Sequence, residues 1–115
     1  MRDPDEIRVE VETTDGVKIL KPIGDIDLSR APSFRYQLGE AQRGEPERLV
    51  VNLIEVPYMD SSGVATLIEA MGVARRNGGK LVLCALQDRV RSVFEIARLD
   101  TVFTIVDGPE EALAV

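Results

Sequence analysis

The sequence predicts an α/β domain, built on a mixed, mainly parallel β-sheet flanked by α-helices and entered through an N-terminal antiparallel hairpin. Three observations predict it. Two short runs, Leu49–Ile54 and Leu81–Leu86, are apolar on both faces apart from Asn52, as strands covered on two sides require. Stretches whose apolar residues fall at helical spacing separate and follow these runs. The first 23 residues alternate around Asp15-Gly16, and Asp-Gly between alternating segments is a strong hairpin signal. Helices alternating with strands imply parallel pairing through right-handed crossovers. At 115 residues the chain is expected to form one domain, 1–115, large enough to bury a core.

Ile7, Val9 and Val11 alternate with Arg8, Glu10 and Glu12, which predicts a strand with one wet face near a sheet edge. Thr14-Asp15-Gly16 turns the chain, and Val17–Ile23 returns antiparallel until Gly24 ends it. The segment Gly24–Ser29 is a loop leading into a helix, with Pro32 in the first turn, where its missing N–H is harmless. Phe34, Leu38 and Ala41 line one face of that helix. Gly39 weakens it by about 1 kcal/mol relative to Ala, and Gly44 and Pro46 stop it.

After the central strand Leu49–Ile54 comes the junction Val56-Pro57-Tyr58-Met59-Asp60-Ser61-Ser62-Gly63. A second helix runs from about Ser62 to Arg76, with Val64, Leu67, Ile68 and Met71 at helical spacing. Arg75 and Arg76 complement its dipole, and Asn77-Gly78-Gly79 supplies a left-handed cap. The strand Leu81–Leu86 follows, then a third helix with Val90, Val93, Phe94 and Ala97 inside, a last strand Val102–Val106, and a short helix from Pro109. Loops leaving parallel strands emerge on one edge of a sheet. Asp25 and Asp27, Asp60 with the serine pair, and Gln87-Asp88 are therefore expected to share a rim.

Composition narrows the function. Twenty acidic residues against 14 basic ones give a net charge of −6, and no Lys/Arg cluster exceeds the pair Arg75-Arg76. Phosphate-backbone binding needs a basic footprint, so no nucleic-acid partner is expected. The chain has no His, which excludes imidazole triads and His-ligated metals. Its single Cys84 cannot form an internal disulfide and suits a reducing compartment; within an apolar strand it reads as a small core residue. Met1–Glu6 contains no apolar h-region and no run approaches a membrane span, so the expected location is the cytoplasm, without membrane insertion.

Three chemistries compete for the rim. Asp25-Ile26-Asp27-Leu28-Ser29 is similar to the D-x-D-x-[ST] start of haloacid-dehalogenase-type phosphatases. Such enzymes also need a Lys from a later loop, and the only Lys beyond Lys21 is Lys80, at a strand entrance on the opposite edge. A receiver domain would need an acidic acceptor where Asn52 or Ile54 stands, and a Lys after its last strand; both are missing. The third reading is a switch. Ser61 or Ser62 lies at a helix start, where Ser61 or Asp60 serves as N-cap. A phosphate there would meet free N–H groups and the positive helix end, adding about −1.5 to −2 charges without melting the helix. Capping and phosphorylation are compatible, and local chemistry leaves both open. Tyr58, Met59, Val64 and Thr66 form an amphipathic set that either faces a partner or packs beneath the loop.

The motifs carry a resemblance. Gly24-Asp25-Ile26-Asp27 resembles the G-E-[LI]-D loop of STAS-domain anti-sigma factor antagonists, and Tyr58-Met59-Asp60-Ser61-Ser62-Gly63 resembles their [FY]-M-D-S-[ST]-G phosphorylation loop. Gly78–Cys84 is similar to their G-G-x-[LM]-x-[LV] strand entrance. The resemblance spans nearly the whole chain and implies a STAS-like fold. It further implies a non-enzymatic switch without cofactor or metal. In that switch Ser61 is phosphorylated by a partner that is both an anti-sigma factor and a serine kinase of the GHKL ATPase type, and a serine phosphatase resets it. Unmodified, such a protein binds its partner and frees a sigma factor. The resemblance puts Asp27 at the partner interface, and the residues of the rim expected to bind the partner are Asp25, Asp27, Tyr58, Met59, Asp60, Ser62, Gly63 and Thr66. The small residues Gly63 and Ala65 are expected to admit another backbone at the helix start. Asp25 replaces the family's usual Glu, and Val64-Ala65 its usual Leu-Gly. The alternative is a STAS subunit that docks through the same rim without a phosphate cycle, in a stress-sensing scaffold or beside a lipid-transport ATPase.

Overall fold

The computed structural model describes residues 3–115; Met1 and Arg2, part of the segment read for a leader, lie outside the described residues. The chain forms β1 (Arg8–Thr14), β2 (Val17–Ile23), α1 (Ala31–Gln42), β3 (Arg48–Asn52), α2 (Ser61–Arg76), β4 (Lys80–Cys84), α3 (Asp88–Ile96), a 3-10 turn (Leu99–Thr101), β5 (Thr104–Val106) and α4 (Pro109–Ala114). The sheet order is β1-β2-β3-β4-β5. Among the described residues only β1 and β2 pair antiparallel; the other strand pairs are parallel.

The hairpin turn has two central residues, Asp15 at φ 44° and Gly16 at φ 79°, the left-handed pair that matches the twist of flanking strands. Beyond it, successive strands lie side by side in chain order. Right-handed crossovers then carry α1, α2 and α3 to the same face. Phe34, Leu38 and Ala41 of α1, Val64, Leu67, Ala70 and Ala74 of α2, and Val90 and Phe94 of α3 bury there against Leu20, Leu49, Val51, Leu81 and Leu83. Phe94 meets Phe103 edge to face, with ring centroids 5.5 Å apart. The second face is narrower. Val50, Val82 and Cys84 lie under Ala112 of α4, and Arg48 donates to the main-chain oxygens of Leu113 and Val115.

Several boundaries differ from the sequence reading, each for a local reason. β3 stops at Asn52 because its Oδ1 accepts the Ile54 N–H at 3.1 Å, a side-chain turn that ends the ladder. β4 stops at Cys84, since Ala85 adopts φ 58°. Arg98, at φ 57°, opens the 3-10 turn, so β5 begins at Thr104 rather than Val102. Ala97 closes α3 and is exposed, outside the inner stripe expected of it. β1 is an edge strand as expected, but Val11 is exposed as well as its charged neighbours.

Candidate functional site

The loops that leave β2, β3 and β4 meet on one edge and are bonded to one another through the main chain. Gly24 N–H donates to Glu55 O at 2.9 Å, Ile26 N–H to Tyr58 O at 2.9 Å, and Asp60 N–H to Ile26 O at 3.1 Å. These bonds form a parallel bridge between Ile26 and Met59, which prolongs the β2–β3 neighbourhood past the strand ends. From the β4 side, Leu53 N–H donates to Cys84 O at 2.9 Å, and Gln87 Nε2 to Ile54 O at 2.8 Å. Gly24 turns the chain into this arrangement at φ 104°, which favours glycine.

Asp60 is the N-cap of α2, and its carboxylate has four donors. Oδ1 accepts Ser62 N–H at 2.9 Å, Gly63 N–H at 3.4 Å and the Ser62 hydroxyl. Oδ2 accepts Leu28 N–H, from the neighbouring loop, at 3.1 Å. The Ser62 hydroxyl, followed by the main-chain donors, holds the Asp60 carboxyl below the usual carboxylate range. Asp27 does the same work one loop earlier: its Oδ1 accepts the Ser29 hydroxyl at 2.8 Å and the N–H groups of Ser29 and Arg30 at 3.1 Å. Ser29 Oγ is the main cause of its lowered pKa.

The two serines differ in kind. Ser62 is half-buried and its hydroxyl is committed to Asp60. Ser61 is exposed as the first residue of α2, and among the described residues nothing hydrogen-bonds its hydroxyl. Asp25 is also exposed, while its main-chain oxygen accepts Arg30 Nη1 at 3.1 Å. Tyr58 is 37% exposed and carries the Arg89 guanidinium 5.4 Å above its ring centroid, a cation–π contact that ties the rim to α3.

Three residues expected at a partner interface turn inward instead. Met59 is 1% exposed, because the parallel bridge with Ile26 directs its side chain into the core. Gly63 is buried, and a Cβ there would lie 2.7 Å from Met59 Cγ and 2.9 Å from Ile26 Cγ2. Its smallness serves close approach within the chain, not entry of a foreign backbone. Thr66 is 8% exposed and its Oγ1 donates to Ser62 O at 2.8 Å, so it braces the first turn of α2 from behind.

Over residues 8–112 the chain matches the STAS domain family. An anti-sigma-B factor antagonist of Listeria monocytogenes is 34% identical over 99 residues, which cover 86% of each chain. The chain belongs to the STAS-domain anti-sigma factor antagonist family. An anti-sigma F factor antagonist of Paenibacillus polymyxa is 28% identical over 108 residues, 93% of this chain and 92% of that one. The crystal structure of an anti-sigma factor antagonist from Mycobacterium paratuberculosis matches with a TM-score of 0.87 at 26% identity, covering 99% of this chain and 97% of that one.

Sequence reasoning missed two features of this STAS domain's rim. Leu28 and Ile54 are exposed there, beside residues singled out by type. The available signal was position. Leu28 follows Asp27 in a turn whose Oδ1 accepts the N–H groups of Ser29 and Arg30, a loop position, and connecting loops run over the surface. No helix of the described residues is long and apolar enough to cross a membrane.

Proposed function

We propose that this STAS domain is an anti-sigma factor antagonist switched by phosphorylation of Ser61. Unmodified, the rim docks on an anti-sigma factor and frees the sigma factor that partner had held. The same partner, a GHKL-type ATPase, transfers the γ-phosphoryl group of ATP to Ser61 Oγ; the hydroxyl proton and ADP leave. The modified rim releases the partner, and a serine phosphatase restores the hydroxyl. The chain is the substrate of this chemistry, not its catalyst.

The observation that carries this reading is the contrast between the serines, an unbonded, exposed Ser61 hydroxyl beside a Ser62 hydroxyl engaged by Asp60. It supports Ser61 as acceptor independently of the motif. A phosphate on Ser61 would add about −1.5 to −2 charges next to the Asp60 carboxylate. The α2 N-terminus tolerates that charge, so its effect falls on the partner rather than on the fold.

The test is phosphosite mapping after incubation with ATP and purified anti-sigma factor kinases of the source organism, with binding measured for Ser61→Ala and Ser61→Asp. The expected outcome is phosphate on Ser61 alone, retained binding by Ser61→Ala and lost binding by Ser61→Asp. Binding by both variants alike would refute the phosphate switch and leave a rim that docks as a structural subunit. Ser61→Asp should change unfolding free energy by less than about 1 kcal/mol, since a carboxylate suits an exposed helix N-terminus. A loss of several kcal/mol would contradict that placement.

A further inference from the structure

At the end of α2 remote from the rim the chain reads Asn77-Gly78-Gly79, and the first pair is chemically labile. With no Cβ on the following residue to stand in the way, a glycine nitrogen can attack the side-chain carbonyl of the asparagine before it. The attack forms a bond from Gly78 N to Asn77 Cγ and breaks the bond from Cγ to the amide nitrogen. That nitrogen leaves as ammonia, and the proton lost from the Gly78 peptide balances it through solvent. Water then opens the resulting imide at either carbonyl, which leaves aspartate or isoaspartate. The other asparagine, Asn52, precedes Leu53, whose side chain hinders the same attack.

Asn77 and Gly78 are both exposed, so water reaches them, and among the described residues nothing hydrogen-bonds the Asn77 side-chain amide. The backbone, however, is held out of the reactive arrangement. Asn77 lies at φ −88° and ψ 2°, whereas ring closure needs its Cβ on the same side as the Gly78 nitrogen, about a third of a turn away in ψ. Gly78, at φ 75°, donates its N–H to Arg75 O at 3.1 Å, and Gly79 donates to Ala74 O at 2.8 Å. These are the two bonds of a glycine-closed helix end, and they commit the attacking nitrogen as a donor. The turn is also clamped from outside. A Cβ on Gly79 would lie 2.7 Å from Pro46 O, and Lys80 N–H donates to Glu47 O at 3.0 Å.

We propose that Asn77 is a deamidation site of this STAS domain, gated by the cap of α2. While the cap is closed the reaction is suppressed; each opening of the turn admits it. The product does not restore what was lost. Aspartate adds a negative charge at the C-terminal end of a helix, where the dipole disfavours it, on a chain of net charge −6; Arg75 and Arg76, in the last turn, offset part of that. Isoaspartate inserts a further carbon into the backbone ahead of Gly78, so the two N–H groups that close the helix lose their register with Arg75 O and Ala74 O. The change runs one way, and it stands independently of the role assigned to Ser61.

The test is incubation of the full chain at mildly alkaline pH, folded in sodium chloride and unfolded in guanidinium chloride of the same ionic strength. Peptide mass mapping reads the mass gained as amide becomes acid, and chromatography separates isoaspartate from aspartate. Asn77 should convert at least about tenfold faster in the unfolded chain than in the folded one, because the folded rate is scaled down by the population of the open turn. Asn52 should lag behind Asn77 in the unfolded chain. Gly79→Ala presses a Cβ against Pro46 O, and it should shrink the ratio of unfolded to folded rates at least about threefold, with circular dichroism checking that it folds. Equal rates for Asn77 in the folded and unfolded wild type overturn the gate. An unfolded chain that stays unconverted while a synthetic peptide of residues 75–80 converts overturns the site. An unchanged ratio in folded Gly79→Ala overturns the clamp, and should that variant fail to fold, the wild-type ratio decides.

Discussion

Gly63 shows how a residue's size can be read correctly and its reason misread. The sequence says only that space is short at the start of α2; the structure shows that Met59 and Ile26 take it up. The opposing effects of Gly63→Ala can be weighed. Ala gains up to about 1 kcal/mol of helix propensity, less in a first turn, while overpacking a filled core costs about 1–3 kcal/mol. Both neighbours are fully buried, so neither gives way freely. Gly63→Ala is expected to lower the unfolding free energy by about 1–2 kcal/mol in urea titrations at unchanged m-value. An unchanged or raised stability would show that Met59 has room to move. Asp60 was legible as one of two possible caps. What sequence spacing does not contain is the bond from its second oxygen to Leu28, 32 residues earlier, which makes the cap a clasp between loops.

Among the elements, the buried face of α1 and the hairpin with its Asp-Gly turn emerge as read. In α2 Val64 and Leu67 are buried, while Ile68, of the same stripe, is exposed and Ala70 and Ala74 are buried instead. The ends of β3 and β4 also differ. Leu53 is fully buried and continues the apolar run, yet it lies outside the ladder; burial and strand pairing separate at the rim. Ala85 and Arg98 take positive φ without being glycine, so no residue type announces those turns. The short α4 covers the second face of the sheet by itself. Cys84 lies beneath it, its thiol pushed up to about 11 by burial, with a further contribution from Glu111. The full chain should therefore resist thiol reagents near neutral pH, where a thiolate of that pKa is scarce. Deleting residues 109–115 is expected to raise the labelling rate of Cys84 roughly tenfold or more, with far-UV circular dichroism checking that the sheet survives. Unchanged labelling on an intact sheet would mean that α4 does not shield it.

Across the whole molecule, the strand order puts three loop ends on one edge, and this much followed from the alternation of strands and helices. The clasps among those loops make acid the solvent condition that tests the rim. Asp27 and Asp60 both have folded pKa values lowered by the donors they accept. Their contribution is complete above the ordinary carboxylate range near pH 4 and is lost as pH falls through the lower folded values. Unfolding free energy should be insensitive to these two groups between about pH 5 and 7 and decline below about pH 4. In Asp60→Asn that acid decline should be shallower; an identical slope would place the linkage elsewhere.

The parallel bridge between Ile26 and Met59 has a further consequence, in time rather than in space. Main-chain bonds stitch the rim to its neighbours, so a phosphate there would act as added charge on a held loop. In the proposed switch, a mark on Ser61 would last as long as its covalent ester. The duration of the signal would then belong to the enzymes proposed to write and erase it, with this small domain as the page.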